Sequence, residues 1–438
     1  MKKKIIAIVL ALALVAAIAV GLVACNKNDN SAPQEVEMPA YNVVEPDYSD
    51  LQFPADFKVG LITLHDKNST YDANFINALE EVKKDFNLAD NQVIIRSGIE
   101  EKEECYNTAL ELADAGCKIV FADSFGHEPF LLRAAAARPT VQFCHATGTQ
   151  AHTSELSNYA NAFASIYEGR YLAGVAAGLK LQAMGKTDAP KIGYIGAYTY
   201  AEVISGYTSF FLGVRSIVPS ATMEVTFTGS WYDETMENNA AKSLIQRGCV
   251  LISQHADSWG APNACEEAGV PNVSYNGSTF ESCEGTFIIS SRIDWAPYYK
   301  YAIAQVVRGQ AVAKDWNGTI ANGGVKLTNL GAAAAEGTVQ KLVDVRNQLA
   351  NGTLKVFDLS KFTVTPADNQ FFKGTVDAEG HLLTYLADVD DYGDYAGDTD
   401  VLKTAGNVRY FAESDLAFRS APYFDFKIDG ITLLNTKL

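Results

Sequence analysis

Polar and aromatic side chains gather at a recurring place in this chain, directly after short apolar runs. Val59-Gly60-Leu61-Ile62-Thr63-Leu64 is followed by His65, Asp66, Tyr71, Asp72 and Asn74. Lys118-Ile119-Val120-Phe121-Ala122 leads into Asp123, Ser124, Phe125 and Gly126, and Val141-Gln142-Phe143-Cys144 into His145, Ala146 and Thr147. Tyr198, Trp231, His255, Asp257, Ser258 and Asn276 stand in the same relation to later runs. Rings beside carboxylates, amides and hydroxyls suit a flat heteroaromatic guest, whose faces meet the rings and whose edge meets the polar groups. Stacking on an aromatic side chain contributes roughly 1–3 kcal/mol per base. Two covered faces and a few edge hydrogen bonds then reach about −8 kcal/mol, near micromolar affinity. Taken singly, Trp231 also suits a core, and His145 or His255 a satisfied structural histidine; the set carries the reading.

Other chemistries lack their residues. There is no GxSxG, no HExxH, no Walker A sequence and no aspartate cluster for calcium-assisted glycoside cleavage. No catalytic residue is therefore assigned, and the chain reads as a binder rather than an enzyme. Seven cysteines occur, but Cys105, Cys117, Cys144, Cys249, Cys265 and Cys283 are scattered without CxxC pairs or zinc spacing. They read as buried thiols, with a disulfide or two open to them outside the cell. Asp388-Val389-Asp390-Asp391-Tyr392-Gly393 has the look of a calcium loop, yet Tyr392 takes its fifth position and no glutamate its twelfth. A solvated acidic loop fits better. Neither metal nor cofactor is expected.

The elements that must position these residues alternate. Strand-like runs start near Lys58, Val93, Lys118 and Val141, separated by helical stretches at Tyr71–Phe86, Glu103–Ala115 and Pro129–Arg138. The pattern restarts at Lys191-Ile192-Gly193-Tyr194-Ile195-Gly196. Helices follow at Val203–Ile217, Glu234–Gln246 and Pro262–Ala268, and strands at Met223–Thr228, Cys249–Ser253 and Val273–Tyr275. A further helix, Tyr167–Leu181, lies between the halves, and another follows at Ala296–Val307. Near-continuous apolar strands between helices mean parallel sheets covered on both faces. The fold class is α/β, and 438 residues exceed one ordinary core, so two doubly wound lobes are expected. In such sheets ligands bind beyond the carboxyl ends of the strands, where the polar sets stand. A formal charge of −17 repels phosphate backbones, so no nucleic-acid partner is expected.

The first residues address the chain. Lys2-Lys3-Lys4 precede an uncharged apolar run from Ile5 to Val23, the pattern of an export signal. The run approaches the roughly 20 residues of a membrane span, but Leu22-Val23-Ala24-Cys25 fits the lipobox of bacterial lipoprotein precursors. Residues 1–24 are expected to be removed and Cys25 to be lipidated, anchoring the protein to the cell membrane on its extracytoplasmic face; each buried CH2 of the acyl chains contributes about 0.8 kcal/mol. Residues 25–52, rich in Asn, Asp, Ser, Pro and Glu, read as a flexible tether.

Between Lys58 and Leu330 the sequence resembles the basic membrane protein family of substrate-binding lipoproteins of ABC transporters. The resemblance is carried by Ala113-Asp114-Ala115-Gly116, Tyr167-Glu168-Gly169-Arg170-Tyr171-Leu172-Ala173-Gly174, Lys191 to Gly196, Gly229-Ser230-Trp231-Tyr232-Asp233 and Arg292-Ile293-Asp294-Trp295. Phe143-Cys144-His145-Ala146-Thr147-Gly148 and Gln254-His255-Ala256-Asp257-Ser258 are similar to a branch that binds bare purine bases. The family implies a fold like type I periplasmic binding proteins, with a hinge and a ligand cleft between the lobes. The first lobe is placed at residues 53–165 with a return segment at 292–318, and the second at 166–291 with 319–353. Residues 354–438 form an extension without an assigned role.

Position by position, the family implies that Tyr71 and Trp231 cover the two faces of a base. Asp72 stands where the family has an asparagine on the base edge; Asn276 replaces an aspartate, and Ser291 a lysine, that hold ribose hydroxyls. Losing both ribose contacts favours a free nucleobase over a nucleoside or another heterocycle such as a flavin. Asn74, Ser124, Phe125, His145, Tyr198, His255 and Asp257 complete the expected ligand site. The implied partners are a purine-like ligand and an ABC permease, with the receptor monomeric; a sensor lipoprotein on the same fold is the alternative.

Overall fold

A computed structural model describes residues 33–389, 397 and 399–436. The export signal, Cys25 and Asp390 to Gly393 of the acidic loop lie outside the described residues. Within them, strand and helix alternate as β1 (Lys58–Ile62), α1 (Thr70–Asp85), β2 (Val93–Arg96), α2 (Glu103–Asp114), β3 (Cys117–Ala122), α3 (Glu128–Ala137), β4 (Gln142–Ala146) and β5 (Tyr159–Ala164). The chain then crosses into α4 (Ile166–Ala183), β6 (Lys191–Gly196), α5 (Ala201–Arg215), β7 (Thr222–Phe227), α6 (Glu234–Gln246), β8 (Ile252–His255), α7 (Gly260–Ala268), β9 (Asn272–Tyr275) and β10 (Phe287–Ile293). It returns through α8 (Ala296–Val307) and β11 (Asp315–Gly318), and crosses again to β12 (Val325–Leu327) and α9 (Thr338–Ala350).

Among the described residues these strands form two sheets. One has six strands in the order β11-β5-β4-β3-β1-β2. The other has seven, beginning β12-β10-β9-β8-β6-β7 and completed by a strand from the C-terminal extension. Pairing within the first sheet is parallel throughout, and in the second only β12 runs against its neighbour. The strands are buried on both faces, as expected of βαβ units whose crossover helices cover the sheet. Helices α4 and α5 pack at very short range because Gly174 and Gly213 face each other: a Cβ on Gly174 would lie 2.0 Å from the Phe210 carbonyl oxygen.

The three passages between lobes are tied together at one side. Ser165 N donates to Gly318 O at 2.7 Å and Asp294 N to Gly324 O at 2.9 Å. Asn322 Oδ1 accepts from Thr319 N at 2.7 Å and from Gly324 N at 3.1 Å. A bundle of short crossings with few residues to rotate is the usual form of a hinge.

Two features differ from the sequence reading. Strands β5, β10, β11 and β12 and helix α9 were not foreseen; Tyr-Ala-Asn-Ala-Phe-Ala in β5 is too rich in small residues to show a strand pattern. Residues 33–52 are docked rather than a free tether. Val36 bridges Leu330, Ser278 Oγ donates to Glu35 at 2.7 Å, Arg308 holds Asp50 at 2.9 Å, and Tyr48 meets Phe86 edge-on at 5.6 Å. Composition underrated this segment because its few rings, with specific backbone bonds, suffice on a preformed surface. The six described cysteines are all buried free thiols, as the sequence reading has them, and form no disulfide among themselves.

The extension carries β13 (Gly374–Val376), β14 (Leu382–Ala387), β15 (Thr399–Asp400), β16 (Leu402–Ala405), β17 (Val408–Phe411) and β18 (Ile431–Leu433). Strand β18 joins the second sheet beside β7. Phe357, Phe362, Phe411, Phe424 and Phe426 give the extension an aromatic core of its own, with rings as close as 4.1 Å.

Candidate functional site

Between the carboxyl ends of the two sheets lies a narrow cavity of about 20 Å³. The first lobe contributes Leu64, His65, Tyr71, Asp72, Ser124, Phe125 and Thr147; the second contributes Glu202, Trp231, His255, Asp257 and Tyr275. Tyr71 and Trp231, on opposite lobes, thus share one cavity.

Helix α1 places the first-lobe side chains. Ser69 caps it, accepting from Asp72 N at 3.2 Å and donating through Oγ to Asp72 Oδ2 at 2.5 Å. Asp72 also accepts from His65 N at 2.7 Å, and its Oδ2 lies 3.5 Å from His65 Nδ1. Burial pushes the Asp72 carboxyl up, but the bonds from His65 and Ser69 outweigh it and hold the group below the usual range. Tyr71 OH donates to Asp123 O at 2.8 Å, fixing its ring against the third strand's end. Asp123 is fully buried; burial first, and the Asp72 charge second, push its carboxyl well above the usual range.

Across the cavity, Glu202 in the first turn of α5 reaches His255 Nε2 at 3.4 Å. Burial holds the His255 imidazolium down, so the ring is neutral, and it lies 4.2 Å from the ring of Tyr275. The Tyr275 hydroxyl is buried and has no partner among the described residues. Burial, then the nearby Asp72 and Glu237 charges, raises the Asp257 carboxyl well above its ordinary value, although Asn276 Nδ2 donates to it at 3.2 Å. Behind this wall Arg170 of α4 is wholly buried, donating to Ser274 O, Tyr194 OH, Ser253 Oγ and Gln254 O at 2.8–3.3 Å. Trp231 stands edge-on to Tyr198 at 5.0 Å; Tyr198 stacks on Tyr200 at 5.1 Å, and Tyr200 meets Phe125 of the first lobe at 5.1 Å.

The lobes touch in this structure. Thr70 N and Oγ1 donate to Asp257 O at 3.2 and 3.1 Å, and Asn74 Nδ2 donates to Asn276 O at 2.9 Å. Of the residues singled out from sequence, Tyr71, Asp72, Ser124, Phe125, Trp231, His255 and Asp257 line the cavity. Four do not. Asn74 and Asn276 form the interlobe contact beside it, Tyr198 backs Trp231, and His145 is buried beneath, 2.7 Å from Ser124 O. Ser291, the other position at which the resemblance implies a lost ribose contact, is buried in β10. Leu64, Glu202 and Tyr275 were missed. Glu202 sits one residue inside a helix rather than after a strand, and Tyr275 is the last residue of its strand, where period-two alternation gives no sign of its role.

Thr147 owes its place to a buried carboxylate. Glu128 accepts from Thr149 N at 2.9 Å, Gln150 N at 3.0 Å, Tyr159 OH at 3.1 Å and Asn161 Nδ2 at 3.1 Å, and so holds a loop in which Thr147 adopts φ of +71°. Among the described residues no group of histidine, cysteine and carboxylate side chains is placed to hold a metal ion. No described helix is long and apolar enough to cross a membrane.

Among solved structures, the fold is similar to an ABC transporter solute-binding protein from Conexibacter woesei, with a TM-score of 0.56 at 23% identity, covering 68% of this chain and 98% of that one. A solute-binding protein from Aeropyrum pernix aligns with a TM-score of 0.57 at 15% identity, covering 71% of this chain and 94% of that chain. In sequence, the chain is 29% identical over 252 residues to a Haloferax volcanii protein named as an ABC transporter glucose-binding protein, covering 58% of this chain and 62% of that protein. It is 33% identical over 201 residues to a purine-binding protein of Brucella abortus, covering 46% of this chain and 55% of that one. The matches thus span little more than half the length of these relatives. The family model for PnrA-like ABC transporter substrate-binding proteins matches residues 61–360, and the chain belongs to that family, Bmp.

Proposed function

We propose that this protein is the extracytoplasmic receptor of an ABC importer, lipid-anchored through Cys25, and that it captures a purine nucleobase by closing two lobes around it. One observation carries the ligand class. Tyr71 and Trp231 enter the same cavity from opposite lobes, beside Asp72, Glu202 and Asp257, and no lysine or arginine among the described residues lines it. Rings supply faces, carboxyl oxygens accept from ring and exocyclic N–H groups, and the absence of a lining cation disfavours phosphate or carboxylate. The purine-binding relative supports the same class. Replacement of the ribose contacts by Asn276, whose amide is engaged with Asp257, and by Ser291 supports a base over a nucleoside. The lobe contacts through Thr70 and Asn74 exist only when the cleft is shut, and the shut form is what a permease would recognise.

A monosaccharide is the second reading, favoured by the relative named for glucose; carboxylates and rings also suit sugar hydroxyls and C–H faces. Calorimetry with adenine, guanine, hypoxanthine, adenosine and glucose separates the two. The nucleobase reading requires one base to bind with micromolar or tighter affinity and glucose at least 100-fold more weakly; the reverse order would sink it. For the anchor, a Cys25→Ser chain should lose incorporation of a labelled fatty acid; retained label would place the lipid elsewhere.

A further inference from the structure

On its extension side the ligand cavity shares its wall with a second space. Phe125, Thr147 and Glu202 stand in its wall and also in the wall of a chamber of about 590 Å³. The far wall of that chamber is the C-terminal extension, including Phe371, Phe372, Arg419, Tyr423 and Phe426. The chamber carries exposed rings: Phe371 is 57% exposed and Tyr200 is 41% exposed. One comes from the extension and one from the second lobe, and both line the same space.

The extension bridges the two lobes and is fastened to each. Ser420 N and Oγ donate to Asp315 Oδ1 at 2.9 and 2.7 Å, and Asn317 Nδ2 donates to Ser414 O at 2.9 Å, all on the first lobe's edge strand β11. On the second lobe β18 pairs with β7, and Arg215 bridges Asp429 at 2.8 Å. The chamber wall is braced internally by Lys373 to Asp425 at 2.8 Å and Lys427 to Asp368 at 3.0 Å. The throat between the two spaces is flanked by the interlobe ring pair Phe125 and Tyr200.

We propose that the chamber is a vestibule, a second and transient binding site for the same flat heteroaromatic class as the inner cavity, through which ligand enters and leaves. The ligand class rests on the nucleobase reading; the route does not. Exposed rings offer an arriving heterocycle a stacking surface ahead of the throat. A ligand seated in the inner cavity no longer touches the extension, so obstruction of the vestibule changes rates and leaves equilibrium untouched.

The test is kinetic. Gln370 is exposed and lines the chamber from the extension, whereas Lys186 is exposed on the second lobe and is not among the chamber's lining residues. Each is replaced by cysteine, Gln370→Cys or Lys186→Cys, and coupled after folding to a bulky polyethylene glycol maleimide; the six described native thiols are buried. Stopped-flow tryptophan fluorescence then follows adenine. Label at position 370 should slow association and dissociation alike, at least five-fold, with the dissociation constant held within two-fold, while label at 186 changes neither. Equal rates for the two labelled proteins overturn the vestibule, and so does weaker binding at 370 with an unchanged association rate. If adenine does not bind and glucose does, the nucleobase reading falls, and the same pair of rates measured with glucose still decides the route.

Discussion

Asn74 offers a clean test of lobe closure, because its side chain makes a single hydrogen bond among the described residues, to the Asn276 carbonyl of the other lobe at 2.9 Å. In an open receptor both groups return to water, so Asn74→Ala removes nothing from either lobe. In the closed form it removes a neutral hydrogen bond of about 0.5–1.5 kcal/mol net, and more if the Asn276 carbonyl is left dry. A loss of about 1 kcal/mol lowers the closure constant roughly five-fold. When the ligand-free receptor is mainly open, apparent affinity falls in proportion to the closed fraction. The expected outcome is a five- to ten-fold rise in the dissociation constant by calorimetry, with the urea unfolding free energy within about 0.5 kcal/mol of the parent. Asn74→Asp should weaken binding further, since a carboxylate then faces a carbonyl oxygen. Unchanged affinity for Asn74→Ala would show that this contact does not hold the closed state. An equal loss in unfolding free energy would show that it belongs to the fold rather than to closure.

Other expectations follow from the same geometry. Trp231→Ala removes one ring from the cavity and should weaken nucleobase binding more than ten-fold with the circular dichroism spectrum preserved; parent-like affinity would take Trp231 out of the site. Arg170→Met strips the donors from the Ser274 and Gln254 carbonyls behind Tyr275 and His255. At about 1–3 kcal/mol for each stranded acceptor it should cost roughly 4 kcal/mol in urea unfolding, and a loss below about 1 kcal/mol would refute that accounting. Burial raises Glu237 to about 7, Glu168 to about 7 and Glu413 to about 8. Each then holds a proton in the folded state that the unfolded chain releases nearer its ordinary value. Their contribution is full below about pH 4.5 and is lost as pH rises toward 7 to 8, so stability should decline from pH 5 to pH 8. Glu237→Gln keeps the acceptor for Asp233 N and Ser258 N without ionising, and should flatten that decline by on the order of 1–3 kcal/mol. An unaltered slope would exclude Glu237 as a source.

The fold was legible where physics leaves a periodic trace. Apolar β-branched runs such as Val59 to Leu64 and Lys191 to Gly196 can only be strands covered on both faces, and their spacing by helices forces parallel order. The rule that ligands sit beyond the strand ends then found nine of the twelve cavity residues without a coordinate. What escaped depends on distant partners. Nothing local marks Glu202 as facing His255, or Glu128 as the buried anchor of a loop 20 residues away. The docked segment at 33–52 and the strand β18 likewise obtain their order from surfaces built elsewhere in the chain. The resemblance placed Tyr71 and Trp231 together, which spacing alone does not do.

The acidic wall of the cavity would be a poor receptor for any organic molecule if all its carboxylates stood as free charges. The structure offsets part of that charge. Asp72, held as the carboxylate, is engaged by Ser69 and His65 in its own lobe, Glu202 is met by His255, and burial favours the protonated form of Asp257 and, behind the wall, of Asp123. On the nucleobase reading, an arriving base meets in Asp257 a carboxyl group that can donate as well as accept, together with the Tyr275 hydroxyl and the acceptors Asp72 and Glu202. Such a wall can match the mixed donor and acceptor edge of a purine, while the lack of a lining cation leaves a phosphate uncompensated. On the proposed nucleobase reading, selectivity for an uncharged heterocycle would follow from how the protein engages its own acids, and closing the lobes, by excluding water, would make each of these hydrogen bonds count for more.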